Sequence, residues 1–334
     1  MKWANIIGAL QETAVITSIS ANILLIFIVY KKSPQQIGSY KYLMIYIAIF
    51  EMLYSIIDVI LEPVVLSQPA IFLVVVNLET TVCDREACIY LICGWVAFFG
   101  SFMALFIVQF IYRYLVVSGS ILLKSFNDWR LVLWMCGPPL CGLSWAFMTF
   151  AYFYPDNQID NAIRNVLLED FDWKVENVTY MGPYLYRTMV DDKYPYRTTL
   201  ICMLIMLTEM VLSILTIVIF AIKCSFKIQN YVKTTKNLSK KSNGLQYQLF
   251  YALVIQTLIP VILLHLPVSI LFVLTILSID LGRASSLVGL TIAFFPALDP
   301  FPVILIVKHY RFAMMNVVTT PVVNFIRKRL DHPV

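Results

Sequence analysis

The run TLICMLIMLTEMVLSILTIVIFAIK, residues 199–223, lies between Arg197 and Lys227 and holds a single acid, Glu209. As a helix it is long enough to cross a hydrocarbon core of ~30 Å, where a backbone survives only by satisfying its own N–H and C=O groups. Six further apolar runs of similar length punctuate the chain. They give helices one to seven near 6–30, 42–66, 88–112, 129–153, 199–223, 247–277 and 285–307. Of the 334 residues 60% are hydrophobic and 13% charged, against roughly 25% charged in an ordinary soluble domain. Residues 1–307 therefore read as one all-α, seven-transmembrane-helix domain, followed by a tail over 308–334. The run Ile6 to Tyr30 has no small-residue cleavage site and is taken as a retained helix. Ala70 to Val76 is apolar but too short to span, and falls in the loop after helix two.

Lys and Arg distribute unevenly between the two alternating sets of loops, and the richer set marks the cytoplasmic face. Seventeen of the 25 lie in one set, including Lys31, Lys32, Arg113, Arg130, Lys240 and Lys308. The other set holds eight; the acids are skewed the opposite way, with Asp128 and Asp331 alone in the first set and eight of the 20 in the long loop 154–198. This places the N-terminus outside and the C-terminus inside. A net charge of +5 dispersed among short loops is a topology signal and makes no surface for nucleic acid. With that orientation the sequon at Asn177 is lumenal and open to glycosylation, whereas the sequon at Asn237 is internal and silent. Among the seven cysteines only Cys83 and Cys88 lie clearly outside, so at most one outer disulfide is expected, with these two as its candidates. No P-loop, H-E-x-x-H or G-x-S-x-G occurs, and no cofactor or metal motif, so an enzyme is not expected.

Five motifs in order then carry a resemblance. They are Tyr40-Lys-Tyr-Leu-Met44 with Glu51, Tyr54, Asp58 and Pro63; Phe110-Ile-Tyr-Arg-Tyr-Leu115; and Asp172 through Tyr180. Gln256-Thr-Leu-Ile-Pro260 with Pro267, and Pro296-Ala-Leu-Asp-Pro300 followed by Tyr310-Arg311, complete the set. Across nearly the whole chain they resemble the nematode seven-helix chemoreceptors of the Str family. The resemblance implies a G-protein-coupled, olfactory-type receptor in the plasma or ciliary membrane of sensory neurons. Such a receptor binds a small environmental molecule and activates a heterotrimeric G protein. It also implies that Tyr112, Arg113 and Tyr114 form the coupling element. The chain departs from rhodopsin-like receptors: Tyr112 stands where their acid precedes Arg, Asp299 where their Asn precedes Pro, and the long outer loop lacks a cysteine.

Polar residues inside the membrane segments face the bundle interior, because lipid cannot solvate them. Glu51, Ser55, Asp58 and Glu62 fall on one helical stripe. Asn22, Glu51 and Asp299 lie at one depth, ~12–14 Å from the inner face. With Asp58 and the helix-breaking Pro300 they form a candidate conformational switch, its two crowded carboxylates sharing a proton or a sodium ion; the static alternative is a hydrogen-bonded knot. Glu209 and His265, at comparable depth in helices five and six, are candidates for a direct pair. With Phe98, Phe99 and Phe102 they would line a small-molecule pocket. Arg113 at the inner end of helix three either contacts a partner or snorkels to lipid phosphate. In the tail, Phe312, Met315, Val322, Phe325 and Ile326 beside Arg327-Lys-Arg329 suit a short amphipathic helix on anionic inner-leaflet lipid.

Three rival functions remain. A seven-helix ligand-gated channel subunit would have its N-terminus inside, and a small-solute transporter would concentrate its substrate. The triplet Pro296-Ala-Leu298 occurs in intramembrane aspartyl proteases, but their other elements are missing.

Overall fold

The computed structural model describes residues 3–185, 196–234 and 240–315. Asn237 and the tail beyond residue 315, with Val322, Phe325, Ile326 and Arg327 to Arg329, lie outside the described residues. Among the described residues seven helices are long and apolar enough to span a membrane.

Helix one is Trp3–Lys32. Helix two, Tyr40–Leu61, stops short of the expected end at 66, because Pro63 brings no N–H and pushes its predecessor out of the helical region. Glu62 takes a left-handed φ of 45° as the cap, its N–H reaching the Asp58 carbonyl. Helix three, Arg85–Ser118, runs beyond the expected 88–112 at both ends. Asp84 caps its start by accepting from the Ala87 N–H at 2.8 Å, and Gly119, at φ 62°, closes it. Helix four is Trp129–Tyr152, and helix five, Tyr196–Thr234, continues well past the expected 223. Helix six runs Lys240–Pro260, a π turn Val261–His265, then Leu266–Ile276. Helix seven is Ser286–Leu298 followed by Pro300–Ile306. Residues 308–315 are again helical.

Helices three and four make the closest approach. A β-carbon on Gly142 would lie 2.2 Å from the Ala97 carbonyl oxygen, and one on Gly100 would lie 2.6 Å from the Trp145 ring. Only glycine admits that spacing. Trp145 thereby packs against helix three, its ring tilted 35° to that of Phe99 with centroids 5.0 Å apart.

The segment 62–82 is more than a loop. Residues Val64–Gln68 (β1) and Ile71–Asn77 (β2) form a hairpin, and Val178–Met181 (β3) adds to β2 in an antiparallel order β1-β2-β3. Pro69 and Ala70, the latter at φ 63°, make the two-residue turn. The sheet is an addition to the all-helical bundle, and every residue of β2 is buried. One face, Val65, Phe72, Val74 and Met181, packs on the bundle core. The other, Val64, Leu66, Ile71, Leu73 and Val75, packs under Ile159, Ile163 and Phe171. Ile159 and Ile163 come from a cap helix, Asn157–Val166, with apolar residues on one side only. The bundle thus has a sheet-capped end, closed by two layers, and an opposite end where Arg113 sits.

Candidate functional site

Immediately beneath the sheet lies a small cavity of about 50 Å³. Its roof is Val65, Phe72, Val74 and Met181–Pro183. Its walls are Trp95, Val96 and Phe99 of helix three, Trp145, Thr149 and Phe153 of helix four, Met206 of helix five, Val268 and Phe272 of helix six, and Ile292 of helix seven. Among the described residues of this lining, the Thr149 side chain is the only one with a hydroxyl. At that size an occupant needs the flexible side chains around it to give way, and the lining dictates that it be largely apolar.

Of the five residues expected in such a pocket, Phe99 alone lines it. Phe98 and Phe102 turn toward helices two and seven instead, where Phe98 meets Phe50 at 4.5 Å and Phe102 meets Phe295 at 4.8 Å. The direct pair of Glu209 and His265 does not form. The Glu209 Oε2 accepts from Trp145 Nε1 at 2.6 Å, and His265 Nδ1 donates to the Pro260 carbonyl at 2.9 Å. The reason is local: the π turn that follows Pro260 leaves that carbonyl facing His265 one turn on, so the imidazole satisfies its own helix. His265 still touches the pocket indirectly through Phe99, their rings 5.7 Å apart.

Deeper in the bundle a polar cluster joins helices one, two, six and seven. Pro300 has no N–H for the Pro296 carbonyl, and Asn22 Nδ2 of helix one fills that place at 3.2 Å while also holding the Ser18 carbonyl at 3.1 Å. Asp299 accepts from Gln256 of helix six. Glu51 faces both Asp299 and Asn22. All four residues are at most 3% exposed. Yet both Glu51 oxygens, Asn22 Oδ1 and Asp299 Oδ1 have no hydrogen-bond partner. The sequence brought Asn22, Glu51 and Asp299 to one depth, and the structure brings them together with Gln256. Asp58 stands apart, about 10 Å along helix two toward the sheet. Its Oδ1 accepts from Trp95 Nε1 at 2.8 Å. Ser18 and Ser55 bond at 2.8 Å between these levels.

At the opposite end Arg113 is 1% exposed, which overturns the snorkelling alternative. Its guanidinium carbon lies 3.5 Å from the centre of the Tyr40 ring, and Nη1 donates to Gln246 Oε1 of helix six at 3.1 Å. Nε and Nη2 have no hydrogen-bond partner. Tyr40 in turn donates to Gln109 at 2.9 Å and stacks on Tyr112 at 5.4 Å; the Tyr112 hydroxyl donates to the Ile37 carbonyl at 3.3 Å. Tyr114 packs edge-on against Phe220 of helix five at 5.6 Å. A buried cation held by π electrons and one neutral amide, with no carboxylate partner among the described residues, is an arrangement that a better acceptor displaces readily.

Cys83 and Cys88 are both free thiols, which corrects the expected disulfide. Asp84 starts helix three between them, so that Cys88 turns into the core and its thiol points at the Cys83 carbonyl, 3.8 Å away. Asn177 is partly exposed at the start of β3, with its amide donating to Glu79. Gln246, Gln256, Trp95 and Trp145 were missed as site residues. Glutamines inside apolar helices were the available signal for the first two, since such side chains seek interior partners.

A seven-helix membrane bundle with an interior cavity and a buried Arg at the end of helix three has the plan of a serpentine receptor. The family model described as serpentine type 7TM GPCR chemoreceptor Str matches residues 8–315. The chain is 35% identical to G-protein coupled receptor str-217 of Caenorhabditis elegans over 312 residues, covering 92% of this chain and 89% of the relative. It is 28% identical to Serpentine receptor class r-10 of the same nematode over 320 residues, covering 94% and 91%. The chain belongs to the Str family of serpentine chemoreceptors. It is accordingly a multi-pass membrane protein and a chemoreceptor of the G-protein-coupled class, and not an enzyme.

Proposed function

We propose that this receptor binds a small environmental molecule of odorant type in the cavity beneath the sheet and passes the signal to a heterotrimeric G protein at the Arg113 end. The sheet-capped end is then outside and the Arg113 end cytoplasmic, as the distribution of Lys and Arg favours. The observation that carries the reading is the apolar space touching helices three to seven at once, since an occupant there biases the mutual position of every helix that bounds it. Between the two ends lies the cluster of Asn22, Glu51, Gln256, Asp299 and Pro300. We assign it the part of a switch, whose unpartnered oxygens take up a proton or a sodium ion in one state and release it in the other. Tyr112, Arg113 and Tyr114 form the coupling element. The plasma membrane of sensory neurons, and their cilia in particular, is the setting that suits this role, and Asn177 is the glycosylation site under this orientation.

The test is a calcium or nucleotide-exchange response in cells expressing the chain with a G protein, screened against volatile and water-soluble small molecules. Activation by a restricted subset, lost in Phe99→Ala at unchanged surface level, supports the reading. Current or concentrative uptake without nucleotide exchange would establish the channel or transporter in its place.

A further inference from the structure

We propose that the cavity is filled from the bilayer, through the seam between helices four and five, so that its ligand is an uncharged molecule apolar enough to partition into lipid. This rests on the ligand cavity proposed above and adds the route and the residues that guard it.

The walls of the cavity differ greatly in thickness. Toward the sheet-capped end an entering molecule meets two layers, first the cap helix and then strands buried on both faces. That lid is fastened. Arg283 Nε pairs with Asp170 at 2.6 Å, and Ser67 N–H donates at 3.1 Å to Ser285 Oγ, whose own proton is shared between the Gly282 carbonyl at 2.7 Å and the Val65 carbonyl at 3.2 Å. To part β2 from its neighbours breaks ladder hydrogen bonds and strands their donors and acceptors in an apolar setting. Helix five, by contrast, supplies one lining residue, Met206. Its neighbours Leu204 and Ile205 already face outward, 45% and 44% exposed. A thioether side chain rearranges at little cost.

Beside Met206 sits the fastening of the seam. Trp145 is at once a wall of the cavity and the donor, at 2.6 Å, to Glu209 of helix five. Glu209 is partly exposed on a helix whose outward side is otherwise lipid-facing, and a carboxyl group in that position is costly without a partner. The bond therefore keeps the seam closed at rest. A molecule that enters displaces the indole and breaks it, and the seam recloses behind when the indole returns. A charged or strongly hydrated molecule is excluded twice, by the lipid it must cross and by a lining in which Thr149 carries the sole hydroxyl among the described residues.

The experiment uses the purified full chain in lipid vesicles with two photoreactive probes, a lipid-partitioning alkyl diazirine and a polar, membrane-impermeant diazirine. Labelled peptides are mapped by mass spectrometry. The alkyl probe is expected to label cavity residues such as Met206 and Val268, and the polar probe to miss them. Trp145→Phe and Glu209→Leu, which break the same bond from its two sides, should each raise the initial rate of cavity labelling about fivefold, as loss of one such hydrogen bond gives. Arg283→Ala, which loosens the lid, should leave it unchanged. Faster labelling in Arg283→Ala alone overturns the lateral route in favour of the lid. Equal rates in all four proteins overturn the latch and the route while the cavity stands. Absence of label from the cavity peptides in every variant removes the cavity reading itself.

Discussion

Beneath the sheet, Phe99, Trp145, Met206 and Phe272 enclose space that holds almost no polar atom, while a few turns deeper Glu51, Asn22 and Asp299 fill their space and leave oxygens unpartnered. One region has room and no polarity; the other has polarity and no room. An empty apolar cavity forfeits dispersion contacts that an incoming apolar molecule restores. A crowd of buried acceptors is unsatisfied in any arrangement that lacks a proton or cation, so it has two states by its chemistry. On the proposed reading the contrast separates recognition from switching, and the helices that border both, chiefly six and seven, join them.

The largest effect is expected where the chain of contacts ends. Arg113→Ala should abolish nucleotide exchange on the partner while ligand occupancy, measured by displacement of a labelled agonist, changes little, because binding and coupling belong to opposite ends. Signalling at parental strength and parental surface level would make Arg113 a packing residue. Trp95→Phe should act on stability instead. It borders the cavity but also supplies the donor to buried Asp58, and removing that donor leaves a carboxyl oxygen unpartnered at a cost of about 1–3 kcal/mol. A thermal melt of the purified receptor checks this, and an unshifted midpoint would show that Asp58 finds another donor.

The smallest effect is expected at the exposed cap pair. Arg164 bonds Glu176 at 2.5 Å and holds its carboxyl below the usual carboxylate range. A depressed folded pKa contributes stability that is present above the unfolded value, ~4.3, and fades as pH falls through the folded one. For a fully exposed pair that contribution is slight. Glu176→Gln should therefore differ from the parent barely at pH 7 and converge on it as pH falls from ~4.3 through the lowered folded value. A large difference at neutral pH would mean that the cap is held by charge rather than by its apolar underside.

The spans were legible because twenty apolar residues in a row leave the chain few alternatives, and Pro63 alone accounts for the misplaced end of helix two. The sheet was not. Ala70 to Val76 was seen as apolar and too short to span, but its first partner, Val64–Gln68, straddled the expected end of helix two and its second, Val178–Met181, lies a hundred residues on. The shared depth of Asn22, Glu51 and Asp299 followed from counting turns, since a helix fixes height. Height does not fix azimuth, which is why Glu209 and His265 were placed level with each other yet turn to Trp145 and Pro260. The burial of Arg113 depended on Tyr40 and Gln246 arriving from two other helices, a fact of packing that no spacing within helix three encodes.

The central claim is that ligand sits in the apolar cavity, and the direct measurement is the dose-response of nucleotide exchange for an activating compound after that space is reduced. Val268→Phe adds a ring to the cavity from helix six, and Phe98→Leu, on the other side of helix three, serves as the control for general disturbance of the core. At equal surface levels the half-maximal concentration should rise roughly tenfold or more in Val268→Phe, the scale on which misfit in an apolar pocket is felt, and little in Phe98→Leu. A Val268→Phe curve that superimposes on the parent's would place the ligand elsewhere and contradict the account.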